Sequence, residues 1–74
     1  MSSENNSLLV AVGKRIRALR QAKKWTQTDL AVHLDMNRGH LSDIERGKRE
    51  AGLVTLQIIA RGLGTTMSKL LRNL

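Results

Sequence analysis

Two short amphipathic segments joined by a tight turn occupy residues 26–48, and they constrain the fold more than any other feature of the chain. Thr26 and Asp29 have the spacing of a capping box, in which a hydroxyl and a carboxylate bond the free backbone N–H groups at a helix start. Asn37 is an equally good capping residue for the second segment. Since a turn of only residues 35–37 separates them, the two predicted helices must cross steeply and pack against each other.

The second segment separates an apolar stripe from a polar face. Leu41 and Ile44 lie three residues apart and predict the side that faces the core. The residues outside that stripe are polar or small: Arg38, Gly39, His40, Ser42 and Asp43. A face so little committed to the core is what a helix needs to read base edges in a DNA groove, and we call this segment the recognition helix.

Three further helices are predicted from apolar spacing and from the residues that end helices. The first contains apolar residues spaced by three and four and ends near Lys23: Leu9, Val12, Ile16 and Leu19. Gly47 and Gly64 predict where the third and fourth helices end, and Gly52 and Thr66 are the predicted N-caps of the fourth and fifth helices. No alternating run predicts a strand. We therefore expect an all-α domain over residues 8–74, preceded by a polar, disordered arm of residues 1–7.

The order and spacing of several short strings make the chain resemble the Cro/C1 repressor type of helix-turn-helix domain, roughly from residue 12 to 71. The strings are Gly13-Lys14-Arg15-Ile16-Arg17, Gln27, Leu30-Ala31, Ile44-Glu45-Arg46-Gly47-Lys48, Leu56, Ala60 and Leu63-Gly64. The family usually has Gly in the turn and Pro after the Arg-Gly-Lys, where this chain has Asp35 and Ala51. Asp adopts the left-handed conformation at a cost on the order of 1 kcal/mol, so the turn remains feasible.

This resemblance implies a fold and a function. The fold is a compact five-helix lambda-repressor-like domain, with a helix-turn-helix as helices 2 and 3. The function is sequence-specific DNA binding by a transcriptional regulator similar to small phage repressors and to the controller proteins of restriction–modification operons. The resemblance also implies a structural ion pair between Arg20 and Glu45 beneath the motif.

The charge balance supports a polyanionic partner, double-stranded DNA. The chain has 13 Lys and Arg against 6 Asp and Glu, a net charge of +7, although a merely soluble basic surface is the alternative. There is no cysteine, which excludes disulfides and thiolate metal sites and fits a reducing cytoplasm. We find no signal-peptide pattern and no apolar run of membrane length. We expect a bacterial or phage protein that acts in the cytoplasm, at the nucleoid, without a membrane partner.

Five residues of the polar face are candidate base contacts. Arg38 can fork onto O6 and N7 of guanine, or it contacts a phosphate or remains a solvated charge. Asp43 can accept from a cytosine amino group, orient Arg38, or take part in helix pairing. Gly39 allows close approach of the backbone to the DNA edge. His40 and Ser42 contact bases or phosphates, or they face solvent.

A second set of candidates would bind phosphates, which position a protein on DNA without reading its sequence. Gln27 begins the second helix, where its N–H points toward an incoming phosphate and its amide can also reach the recognition helix. In the resembling family this position has such a function. The other candidates are the capping residue and the basic cluster after the recognition helix: Asn37, Arg46, Lys48 and Arg49.

The sequence contains no pattern for catalysis or for a cofactor. His33 and His40 lie seven residues apart with no carboxylate or thiol at metal-ligand spacing, so no metal site is predicted. No Gly-rich phosphate loop follows a strand, and no nucleophile can be matched to a base by spacing. We therefore expect a protein that is not an enzyme and has no small-molecule ligand.

The fifth helix carries more apolar side chains than so short an element can hide: Met67, Leu70, Leu71 and Leu74. We expect a second copy to cover them, giving a homodimer on a pseudo-palindromic operator. One alternative is an antitoxin-like module whose main partner is another protein, but such modules usually add a segment and only three residues follow Leu71. Another is a basic membrane-surface peptide, which the capped helices and the single aromatic residue disfavour.

Overall fold

The computed structural model describes residues 3–74, with side chains from residue 7 onward, and this part of the chain forms five α-helices. They are α1 (Ser3–Ala22), α2 (Gln27–Leu34), α3 (Arg38–Glu45), α4 (Leu53–Gly62) and α5 (Met67–Leu70). The prediction of an all-α, five-helix domain is confirmed, with α2 and α3 as the helix-turn-helix.

The start of α1 differs from the sequence prediction. A disordered arm is predicted for residues 1–7, but the helix begins at Ser3, so residues 3–7 belong to α1; residues 1 and 2 lie outside the described residues. The apolar periodicity that signals this helix starts only at Leu9. A helix that has already formed extends at little cost through polar residues, because each added residue gains a backbone hydrogen bond. Apolar spacing therefore does not mark its first turns.

Side-chain caps determine where α2, α3 and α5 begin. Thr26 Oγ1 accepts from the Asp29 N–H at 3.0 Å, and Asp29 Oδ2 accepts from the Thr26 N–H at 2.9 Å, which completes the capping box. Asn37 Oδ1 and Thr66 Oγ1 each accept from the backbone N–H three residues on, at 2.9 and 3.1 Å. These caps agree with the sequence prediction, and each contributes about 1 kcal/mol to helix stability.

Residues in the left-handed conformation end α2, α3 and α4. Asp35 adopts φ 54° and ψ 48° after α2, so the turn tolerates an Asp where the family usually has Gly. Gly47 and Gly64 adopt φ 72° and 75° after α3 and α4. At Gly47 an added Cβ would also come within 2.8 Å of the Val10 Cα, so the end of α3 lies directly against α1.

The hydrophobic core receives side chains from all five described helices. Those that are fully buried are Ile16, Leu30, Leu41, Ile44, Ile59 and Leu70. Gly13 permits a close approach of two backbones, since an added Cβ would overlap the carbonyl oxygens of Ile44 and Glu45. The α1 backbone therefore touches the last turn of α3, and this contact fixes the recognition helix relative to the rest of the domain.

The position of α5 corrects the predicted dimer surface. Leu70 is 0% exposed and belongs to the core of its own subunit, so its assignment to a dimer interface is wrong. Met67 and Leu71 are half-buried against the same core, and Leu74 remains 44% exposed. Leu70 is buried within its own subunit because α1 and α4 both pack against α5.

Candidate nucleic-acid interface

The recognition helix α3 keeps its polar face outside the core. Leu41 and Ile44 are buried, whereas Arg38 and Gly39 in the first turn are exposed. The remaining candidate base contacts are half-buried: His40, Ser42 and Asp43. The N-terminal residues of a recognition helix are those that contact base edges in helix-turn-helix complexes. Because Arg38 and Gly39 are exposed in this first turn, they are the most accessible of the five candidates.

Asn37 has a structural function at the start of this helix. Its Oδ1 accepts from the His40 N–H, so the predicted phosphate contact would have to use the carboxamide NH₂. Gly39 lies against this cap, because an added Cβ would come within 3.1 Å of Asn37 Oδ1. A larger residue at position 39 would press on this cap.

A buried ion pair joins α3 to α1. Arg20 Nε and Nη2 donate to Glu45 Oε2 and Oε1 at 2.8 and 2.9 Å, and the two side chains are only 8% and 1% exposed. Arg20 Nη1 donates to the Trp25 carbonyl oxygen at 2.7 Å. The structure thus brings Arg20 and Glu45 together in the pairing that the resemblance implies, with bidentate geometry.

Gln27 connects α2 to the same pair. Its Nε2 donates to Glu45 Oε1 at 3.1 Å, so the predicted reach of this amide to the recognition helix is present. Glu45 therefore accepts from both α1 and α2, and one carboxylate holds three helices in register. The phosphate contact at the N-terminus of α2 stays a prediction.

The basic cluster lies directly beyond the recognition helix. Arg46, Lys48 and Arg49 are exposed on both sides of Gly47. The Lys48 N–H donates to the Asp43 carbonyl oxygen at 2.9 Å and closes the helix end. The backbone of this turn is thus bonded to α3, which places the three cations at a defined distance from the polar face.

Arg15 makes contacts that sequence reasoning missed. Its guanidinium donates to the carbonyl oxygens of Lys69, Leu70 and Arg72, at 3.3, 3.0 and 3.1 Å. These partners lie 54, 55 and 57 residues away, so no local pattern could reveal them. Among the basic residues of α1, nothing in the sequence distinguishes Arg15 from Arg17.

The two histidines are not part of a metal site among the described side chains. Within residues 7–74 there is no cluster of His, Cys, Asp or Glu side chains placed to hold a metal ion. His33 instead lies beside Trp25, with the ring centroids 5.1 Å apart. Across the same residues, no helix combines the length and hydrophobicity that crossing a membrane requires.

Comparison with known proteins gives one consistent result. The helix-turn-helix family model matches residues 16–70. The immunity repressor protein of Bacillus phage phi105 is 41% identical over 59 residues, which are 80% of this chain and 41% of the repressor. The control protein C.MunI of Mycoplasma sp is 36% identical over 70 residues, 93% of this chain and 95% of that protein. The chain thus spans less than half of the repressor and nearly all of the control protein.

A solved structure agrees with the sequence comparison. The restriction-modification controller protein C.AhdI from Aeromonas hydrophila has a TM-score of 0.80 and 35% sequence identity to this chain. The superposition covers 84% of this chain and 94% of the controller.

Proposed function

Because this chain belongs to the helix-turn-helix family of DNA-binding transcriptional regulators, we propose that it reads one specific duplex sequence and does so as a homodimer on a pseudo-palindromic operator. A single recognition helix contacts few base pairs, each contributing about 1–3 kcal/mol of discrimination. Two helices related by a two-fold axis double that readout. The match to nearly the whole length of a control protein supports a controller-type role.

The observation that carries this proposal is the way α3 is held. Leu41 and Ile44 fix its inner side in the core, and the Glu45 carboxylate is bonded to Arg20 and Gln27. A helix fixed in rotation presents the same side chains to every duplex, and rigid support of this kind is what selective recognition requires. Selection of bound sequences from a random duplex pool tests the proposal, and an enriched inverted repeat is the expected result.

Arg38 is the residue we propose for guanine readout. Arg38→Ala should relax the preference at one base position in each half-site and weaken specific binding by about 1–3 kcal/mol, while non-specific binding changes little. Titrations of operator and random duplexes measure both quantities. Arg46→Ala, which removes an arginine just beyond the C-terminal end of α3, should weaken binding to both duplexes alike. Equal losses on both duplexes for Arg38→Ala would instead identify a phosphate contact.

The basic cluster is proposed to anchor the phosphate backbone. Lys48→Ala and Arg49→Ala should each weaken binding to all duplexes and reduce the slope of log K against log salt by about 0.9 for each phosphate that the protein no longer neutralises. The measurement is a series of titrations at increasing salt. Arg61→Ala, which removes an exposed cation from α4 where no DNA contact is proposed, is the control and should leave the slope unchanged. If both alanine variants kept the wild-type slope, the loop would not be part of the interface.

The second copy is proposed to dock on an apolar groove, which we call the leucine groove. It has a volume of about 400 Å³ and lies between the N-terminal half of α1, the loop of residues 50–53 and residues 71–74. Leu8, Leu53 and Leu74, which line it, are 50%, 77% and 44% exposed. Isolated surface leucines are ordinary, but several around one groove mark an interaction site.

Charge supports a second copy of this chain as the occupant. Two molecules that each carry +7 repel across most contacts. Among the described residues that line the leucine groove, the one charged side chain is Glu50, so this face can meet its own copy without opposing cations. Sedimentation at micromolar concentration is expected to show a dimer. A monomer that still binds one asymmetric site tightly would contradict both the dimer and the palindrome.

A further inference from the structure

We infer that Arg15 is a positioning residue for self-association: its guanidinium holds residues 71–74 in place, and these residues form one wall of the leucine groove. The inference rests on the proposed homodimer. It assigns a function in assembly to an arginine that a basic DNA-binding surface would otherwise explain.

The contacts of Arg15 converge on the end of α5. One amino group of the guanidinium bonds the Leu70 carbonyl oxygen at 3.0 Å and the Lys69 carbonyl oxygen at 3.3 Å, and the other bonds the Arg72 carbonyl oxygen at 3.1 Å. The side chain is half-buried, and Leu71 lies between the two groups of carbonyls that it bonds. A planar fork of this kind restrains a turn of backbone more strongly than a single bond would.

The short helix needs an external restraint at this end. α5 has four residues, fewer than a helix needs to be stable alone, and the last carbonyl groups of any helix lack partners within it. A cation at a helix C-terminus satisfies those carbonyls and opposes the helix dipole. The Arg15 guanidinium supplies that restraint, because it donates to the carbonyl oxygens of Lys69, Leu70 and Arg72.

The buried side chain of Leu70 and the guanidinium of Arg15 both restrain the end of the chain, residues 70–74. Leu70 is fully buried, so the packing of its side chain also holds α5 on the core. Leu71 and Leu74 line the leucine groove, and Leu74 remains 44% exposed. Within the turn, the Leu74 N–H donates to the Leu71 carbonyl oxygen at 3.2 Å. Removal of the Arg15 guanidinium should therefore release the groove wall while the folded core persists.

The test compares Arg15→Gln with Arg17→Gln, which removes the same charge from an exposed position of the same helix. We expect Arg15→Gln to raise the dimer dissociation constant about tenfold or more, the effect of losing one charge-assisted hydrogen bond, while Arg17→Gln leaves it near the wild-type value. Sedimentation equilibrium measures the constants, and circular dichroism should show the wild-type helix content. Arg15→Lys, with one cationic group instead of a fork, should recover part of the affinity.

Hydrogen exchange separates positioning from general destabilisation. In Arg15→Gln at dilutions where the chain is monomeric, the amides of Leu71, Arg72 and Leu74 should exchange faster, while those of core residues such as Ile44 keep their protection. Equal acceleration at Ile44 would show that Arg15 serves overall stability, and the inference would fail.

A double-mutant cycle tests whether Arg15 acts through the groove wall. Leu74→Asp places a charge in the groove with Arg15 intact and should also weaken the dimer. If Arg15 works by holding residues 71–74, the combined variant should lose little more affinity than the more severe single variant. Fully additive losses, or an Arg15→Gln dimer as tight as that of Arg17→Gln, would overturn the inference and leave the homodimer standing. A wild-type chain that stays monomeric would overturn the homodimer itself.

Discussion

Glu45→Ala is expected to bring the domain close to unfolding at room temperature. The substitution leaves the Arg20 guanidinium, whose side chain is 8% exposed, without its carboxylate. Removing one partner of a buried ion pair costs about 3–5 kcal/mol. A chain of this length has a total free energy of unfolding of about 4–11 kcal/mol. Gln27 Nε2 loses its acceptor in the same step, so the cost should fall in the upper part of the first range.

Thermal denaturation followed by circular dichroism measures this effect. Glu50→Ala is the matched control, because it removes an exposed acid five residues away and should change the melting temperature little. The double variant Arg20→Met with Glu45→Leu should recover much of the stability, since an apolar pair of similar volume does not need compensation for a buried charge. A Glu45→Ala domain that melts within a few degrees of the wild type would show that the pair contributes little.

Leu70→Asp and Leu53→Asp are expected to have opposite effects, although both put a carboxylate in place of a leucine. Leu70 is 0% exposed, so its replacement removes packing worth about 2–5 kcal/mol and also buries a charge, and the domain should unfold. Leu53 is 77% exposed in the leucine groove, so its replacement should leave a folded chain that no longer dimerises. Circular dichroism reports folding, and sedimentation velocity reports assembly.

Each variant can contradict the proposed interface in its own way. If the Leu70→Asp chain were folded and monomeric, Leu70 would be part of the dimer interface and would not be buried in the core of its own subunit. A Leu53→Asp chain that still forms dimers would place the interface on another surface. In the proposed arrangement, Leu53→Asp should also bind its operator more weakly, although no residue proposed to contact DNA has changed.

Local sequence patterns were sufficient to predict the five helices, except for the first turns of α1, and the polar face of α3. Thr26, Asn37 and Thr66 bond N–H groups only three residues away, so their function is independent of the rest of the fold. The apolar spacing of Leu41 and Ile44 defines the core side of α3, because side chains three residues apart share one side of a helix. The polar face of the recognition helix followed directly from that pattern.

Resemblance to a family supplied one further step that local pattern could not. Arg20 and Glu45 are separated by 25 residues, and a charge pair at that distance has no periodic signature. The short turn between α2 and α3 brings the two helices together, and for this reason the sequence could predict that the Gln27 amide reaches the recognition helix.

The assembly surface depends on how distant parts of the chain cover one another. Leu70 and Leu74 look alike in the sequence, yet Leu70 is in the core and Leu74 is exposed, because α1 and α4 pack against α5 while Leu74 lies beyond the end of that helix. Arg15 meets carbonyls more than fifty residues away, and Gly13 matters because the α3 backbone crosses at that point. Apolar spacing identifies the side chains that need burial, but long-range packing determines which of them are buried within one subunit.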